Sequence, residues 1–340
     1  MKRAYLAFAL VISLHSIAVA VEQQFANIGD LKLQDGGVIR QCRVGYRTYG
    51  RLNAEKSNVV VLPTWAGGTT QQLESSIGPG KLIDSSQYFV VAIDALSNGV
   101  SSSPSNSRLQ PRMRFPKFTL RDTVESQHEL LTKVLHIDHV KAIVGISMGG
   151  MQAFQWIVSY PDFMEKAVPI VGSPRLAPYD LVHWRAQIES LMRDRDWKGG
   201  NYAVNPSREV DFAFGEILLT SPDDYNRRKT REQALADLAK ARVDTHRFDA
   251  NDKIRQTQAM MDLDVTRQFG GSLERAARAV KAKLLVVVAK FDHVVTPGPA
   301  TEFASHAGAK LLTLESDCGH LATACESKRL DEAIAEFLRD

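Results

Sequence analysis

Apolar positions along the chain fall into two patterns. Val59-Val60-Val61-Leu62, Tyr88 to Ile93, Ala142-Ile143-Val144 and Leu284 to Ala289 are continuous apolar runs bounded by polar or glycine-bearing segments. Runs of that length predict strands covered on both faces. Val38 to Tyr49 alternates through Val44, Tyr46 and Thr48 and predicts a half-buried strand. Ala167 to Val171, in spite of Pro169, and Lys310 to Leu314 complete the strand set. Between them the period lengthens. Val124, Leu130, Leu131, Val134 and Leu135 mark a helix that Asp122 caps, and Met151, Phe154 and Ile157 mark one stopped by Pro161. Further helices are predicted near Thr301 to His306 and from about Leu330 to Leu338.

Buried strands alternating with helices predict an α/β chain with a mostly parallel, doubly wound sheet. The alternation stops from about Pro174 to Lys281, where helical stretches such as Leu181 to Met192 and Arg231 to Ala241 carry many charges. Thr220-Ser221-Pro222-Asp223 is a helix-start signal within it. The expected organisation is a leader over 1–20, a sheet core over 21–173 and 282–340, and a helical cap or lid over 174–281. An insertion of that length between sheet strands belongs over the strands' C-terminal edge, where α/β folds bind ligands.

Composition changes this picture little, except at the start of the chain. The 340 residues are 44% hydrophobic and 8% aromatic, as in a globular domain with a sizeable core. Lys2 and Arg3, the mostly apolar stretch Ala4 to Leu14 and the Ala18-Val19-Ala20 cleavage pattern predict a secretory signal peptide cut near Ala20. The mature protein is then expected outside the cytoplasm, secreted or periplasmic. Losing Lys2 and Arg3 lowers the net charge from +3 to +1. That balance gives no reason to expect nucleic acid or, after cleavage, a membrane as partner. In an oxidising compartment Cys318 and Cys325 could close a small disulfide loop, or remain two buried thiols; Cys42 lies far from both in sequence.

Chemistry concentrates at Gly145-Ile146-Ser147-Met148-Gly149, which sits between a predicted strand and a predicted helix. Strand, sharp turn and helix with serine at the apex is the nucleophile elbow of α/β-hydrolase enzymes, and the chain is expected to resemble them in fold. A serine hydroxyl needs a base to take its proton and a carboxylate to orient that base. Asp292 and His320 each follow a predicted strand and come in the order that pattern requires. His293 competes as the base and Asp317 as the carboxylate; each would leave the same loop as its partner. The oxyanion is expected to meet the backbone N–H of Met148 and one more from the loop after the early buried strand, at Trp65 or Ala66. No residue spacing suggests a metal, and no cofactor is expected.

Several of these stretches are similar to the homoserine O-acetyltransferases, a branch of the α/β-hydrolases. They are Tyr46 to Asn53, Ile77-Gly78-Pro79-Gly80-Lys81, Phe115-Pro116 with Thr119, Arg121-Asp122 and Gln127, Gly145 to Gln152, Tyr160-Pro161-Asp162, Asp292 and Gly319-His320. The resemblance spans about 40 to 338 and is weakest in the helical insertion. It implies Ser147 as the acyl carrier, Asp292 and His320 as its partners, Met148 as oxyanion donor, acetyl-CoA as donor and homoserine as acceptor. Thr64-Trp65-Ala66-Gly67-Gly68 departs from the family's early loop, and the family's arginine pattern is not recognisable around Phe212 to Ser221. An exported protein also lacks acetyl-CoA. The sequence therefore predicts an exported serine enzyme that hydrolyses a small acyl ester. An acetyl-CoA-dependent transferase and a non-catalytic binding protein are the alternatives. The oligomeric state stays open, a homodimer being what the resemblance implies.

Overall fold

The computed structural model describes residues 21–206, 209–243 and 248–340. The expected signal peptide lies outside the described residues. Eight strands form one sheet: β1 (Gln24–Lys32), β2 (Val38–Tyr49), β3 (Val59–Pro63), β4 (Phe89–Ile93), β5 (Val140–Ile146), β6 (Met164–Ile170), β7 (Lys283–Ala289) and β8 (Lys310–Leu314). Their order is β1-β2-β4-β3-β5-β6-β7-β8. β2 pairs antiparallel with β1 and β4, and every pairing from β4 to β8 is parallel.

The continuous apolar runs are strands buried on both faces because helices cover both. Val59 and Val61 of β3 enter one core, with Phe154, Trp156 and Phe303; Val60 and Leu62 enter the other, with Leu330, Ile334 and Phe337. Short helix α1 (Thr70–Leu73) follows β3, and α2 (Leu120–Glu129) and α3 (Met148–Ser159) flank β5. The cap of α2 is Thr119, whose hydroxyl accepts from the Asp122 N–H; Asp122 stands three residues on and reaches back to the Thr119 N–H at 2.7 Å. The expected cap at Asp122 is thus the second half of a capping box, which begins the helix earlier. The α-helix ends at Glu129, and one π turn carries the apolar stripe through Val134.

Between β6 and β7 the described residues form helices and no strand of the sheet. They are α4 (Pro178–Arg193), α5 (Glu209–Leu219), α6 (Pro222–Arg228), α7 (Arg231–Val243), α8 (Ala250–Met261) and α9 (Leu273–Arg278). α9 buries Leu273, Ala276 and Ala277 in the core cluster that also holds Phe303. It therefore belongs to the layer beside the sheet rather than above it. α10 (Gly298–Ala307), the four-residue α11 (Ala322–Cys325) and α12 (Ser327–Arg339) complete the chain. α12 buries Leu330, Ile334, Phe337 and Leu338. Its last turn is fixed by Lys166, buried on β6, which donates to the carbonyls of Phe337 and Leu338 at 3.0 and 2.8 Å. Cys318 and Cys325 form a disulfide, and Cys42 is a buried free thiol.

Candidate active site

Ser147 occupies the turn between β5 and α3 with φ 58° and ψ −120°, a strained backbone for a residue with a side chain. Close packing on both sides makes the turn possible. A Cβ on Gly145 would lie 2.1 Å from the Gly149 carbonyl oxygen, and one on Gly149 would lie 2.7 Å from the Pro63 carbonyl oxygen. Glycine is therefore the residue that lets strand, helix and the neighbouring β3 meet here.

The strands β5, β7 and β8 deliver three side chains to one point. His320 Nε2 is 2.9 Å from Ser147 Oγ, and His320 Nδ1 is 2.6 Å from Asp292 Oδ2. Asp292 and His320 are both buried, 3% and 7% exposed, so water does not compete for the pair. An ionised carboxylate only accepts, so the proton belongs on Nδ1 and Nε2 is left to accept from the serine hydroxyl. Asp292 Oδ1 accepts from the Val294 and Val295 N–H groups at 2.8 and 2.9 Å, which fixes the carboxylate's orientation. Neither competitor takes part in this series. Asp317 forms a two-point pair with Arg227 at 2.7 and 2.8 Å, and the bonds from Asp292 and Ser147 go to His320 rather than to its neighbour His293.

The loop after β3 faces the same point. Trp65 and Ala66 line a cavity of about 630 Å³ together with Ile146, Ser147, Leu219, Val294 and His320. Gly67 N–H donates to Gln256 Oε1 at 2.6 Å and Gly68 N–H to the Trp65 carbonyl at 3.0 Å. Neither the Trp65 nor the Ala66 N–H has an acceptor among the described residues. Met148 is the first residue of α3, where N–H groups have no carbonyl partner within the helix. The N–H groups at Met148, Trp65 and Ala66, the candidates named from the sequence, are thus without an acceptor among the described residues.

Other polar contacts hold this loop and the acid loop, and sequence reasoning missed them. Gln152, one turn into α3, donates from Nε2 to the carbonyls of Thr64 and Met148, both at 3.0 Å. Its Oε1 accepts from Gln127 at 2.6 Å, and Gln127 accepts from the Trp156 indole at 2.9 Å. All three side chains are fully buried. Both glutamines, Gln127 and Gln152, fall in the stretches that resemble the homoserine O-acetyltransferases, which was the available signal. From α4, Asp180 accepts from the Thr296 N–H at 3.2 Å, and His183 and Trp184 both donate to the Val294 carbonyl at 3.1 Å. Burial pushes His183 down to about 4, so it stays neutral and donates from Nε2. Nothing in the sequence marks these contacts, because they join helices of the insertion to loops more than a hundred residues away.

Among the described residues, Asp224, Asp317 and Cys318 form one cluster of ligand-type groups. Arg227 and Arg228 already pair with its carboxylates and the Cys318 sulfur is in the disulfide, so its donors are committed to protein partners.

Residues 58–323 match the family model described as alpha/beta hydrolase fold. The ethyl acetate hydrolase of Pseudomonas veronii is 31% identical, over 93% of this chain and 95% of that protein. A crystal structure of an acetylester hydrolase from Corynebacterium glutamicum superposes with a TM-score of 0.87 at 29% identity, covering 94% of this chain and 96% of that one. A homoserine O-acetyltransferase of Caulobacter vibrioides is 29% identical, over 91% of this chain and 92% of that protein.

Proposed function

The chain belongs to the alpha/beta hydrolase fold family, and on that premise we propose that it is an exported serine esterase that hydrolyses small acyl esters, acetates foremost, through an acyl-serine intermediate. The observation that carries the reading is the unbroken hydrogen-bonded series from Ser147 through His320 to Asp292.

Ser147 Oγ attacks the ester carbonyl carbon while His320 Nε2 takes the hydroxyl proton. The carbonyl electron pair moves onto oxygen, where the N–H groups of Met148 and of Trp65 or Ala66 stabilise the charge. Asp292 stabilises the imidazolium. The tetrahedral intermediate collapses, the C–O bond to the alcohol breaks, and the leaving alkoxide takes the proton from Nε2. Water then adds to the acyl-serine, giving its proton to Nε2, and the second collapse releases the acid and returns the proton to Ser147.

Water as acceptor is supported by the cavity. Its walls are mostly apolar, with Leu82, Leu219, Val294, Leu321 and Leu330; among the described residues that line it, the ionisable side chains besides His320 are Lys81 and Asp331, with no arginine. A short acyl chain and a small alcohol suit such a lining. The names of the Pseudomonas and Corynebacterium relatives point to the same class. Export is supported by the leader sequence and by the Cys318–Cys325 disulfide, which persists in oxidising compartments.

Transfer to an alcohol from acetyl-CoA is the second reading, favoured by the full-length match to the Caulobacter relative. A panel of acyl esters of graded chain length, with and without acceptor alcohols, tests both. The esterase reading expects acid release at a rate that acceptor alcohols leave unchanged. Acetyl transfer to an alcohol in preference to water, with release of CoA from acetyl-CoA, overturns it.

A further inference from the structure

The geometry points to Gln256, on α8 of the helical insertion, as a positioning residue for the oxyanion loop. This inference rests on the acyl-serine reading above. Gln256 is 1% exposed. Its Oε1 accepts the Gly67 N–H at 2.6 Å, and its Nε2 donates to the Leu96 carbonyl at 3.0 Å. One side chain thereby ties the loop after β3 to the loop after β4.

Two features make this contact more than packing. The first is where it falls. Gln152 holds the near end of the loop through the Thr64 carbonyl, and Gln256 holds the far end through the Gly67 N–H. Between those two anchors stand Trp65 and Ala66, whose N–H groups are the ones left without an acceptor among the described residues. The anchors therefore fix the direction of the free donors. Directed donors matter because an oxyanion hole works through dipoles already aimed where charge develops.

The second feature is that α8 is itself rigidly held. Asp252, one turn before Gln256, accepts from Ser105 N–H and Oγ at 2.9 and 2.5 Å. Arg255 donates to the carbonyls of Phe115 and Met113 at 3.0 and 2.9 Å. The Phe248 ring, just before the helix, packs so closely over Gly67 that a Cβ there would sit 2.8 Å from it. The loop takes its shape from a helix that is fastened on three sides. In this arrangement the insertion is part of the catalytic frame and not only a cover over it.

The test compares Gln256→Met, which keeps the length and the apolar volume but loses the strong acceptor, with Gln256→Glu, which keeps an acceptor for Gly67. Turnover of a small acetate ester is measured per active site, titrated with a serine-directed phosphonate, and thermal unfolding is followed for both variants. For Gln256→Met the expected result is a kcat at least tenfold lower with KM within about twofold, because removing an oxyanion donor outright costs about 10² to 10³ in kcat and misaiming one costs less. A trifluoromethyl ketone, which forms a tetrahedral adduct, should lose affinity in parallel, and Gln256→Glu should retain the larger share of kcat. An unchanged kcat per titrated site in Gln256→Met overturns the assignment, as does an equal loss in both variants. Failure of the acyl-serine reading looks different: the wild-type protein itself would then resist the phosphonate.

Discussion

At the scale of single residues, the proposed reaction asks different things of Ser147, His320 and Asp292. Ser147→Ala should remove ester turnover while leaving the fold intact, since the side chain is partly exposed in an open cavity. Asp292→Asn keeps the shape and the contacts from Val294 and Val295 but favours the wrong histidine tautomer, and kcat should fall by roughly 10⁴-fold in steady-state assays. A loss below tenfold would mean that Asp292 does not govern the imidazole. These three positions were legible in the sequence because each follows an apolar strand, and the order of the strands is the order of the chemistry. The preference for His320 over His293 rested on chain order and on His293 leaving the same loop as Asp292, and in space a 2.6 Å bond joins Asp292 to His320. Gln256, Asp180 and His183 were not legible, because a glutamine or aspartate on a charged helix gives no sign of the loop it will meet.

At the scale of elements, the apolar runs announced the strands well, since burial on both faces leaves no polar alternation to misread. β1 escaped notice because it is an edge strand with a mostly exposed pattern, in which only Ala26 and Leu31 are buried. The elbow is the element with least tolerance. Gly145→Ala would drive a methyl to 2.1 Å from the Gly149 carbonyl, and a loss of stability of more than about 3 kcal/mol is expected in chemical denaturation. α8 carries a pH signature. Burial, then the Asp249 charge, raise the Asp252 carboxyl to about 8, against the ordinary 3.8. The folded chain thus holds a proton that the unfolded chain has released between those values, so this group's contribution favours folding below the ordinary value and declines as pH rises toward 8. Asp252→Asn removes that decline. Its melting temperature relative to wild type should therefore climb between pH 5 and pH 9, and a constant difference across that range would contradict the assignment.

At the scale of the whole molecule, a mostly parallel sheet covered on both faces follows from the alternation of period in the sequence, whereas the strand order and the way the insertion grips the site do not. α4 holds the loop after β7 through Asp180, His183 and Trp184, and α8 holds the loop after β3 through Gln256, so helices of the insertion grip two loops that line the cavity. The disulfide binds a third piece, closing the short segment that carries His320 and three residues of the cavity wall, Leu321, Thr323 and Ala324. By loop entropy its reduction should cost roughly 2–3 kcal/mol of stability, read as a lower denaturation midpoint in reductant. Export predicts a mature protein beginning near Val21 when recovered from outside the cytoplasm. The central claim, an acyl group carried on Ser147 and passed to water, is tested most directly by mass spectrometry of the protein quenched during turnover of an acetyl ester. The account predicts a covalent acetyl group on Ser147 that disappears as acetate is released, and no such adduct in Ser147→Ala, which is also inactive. Undiminished esterase activity in Ser147→Ala would contradict it.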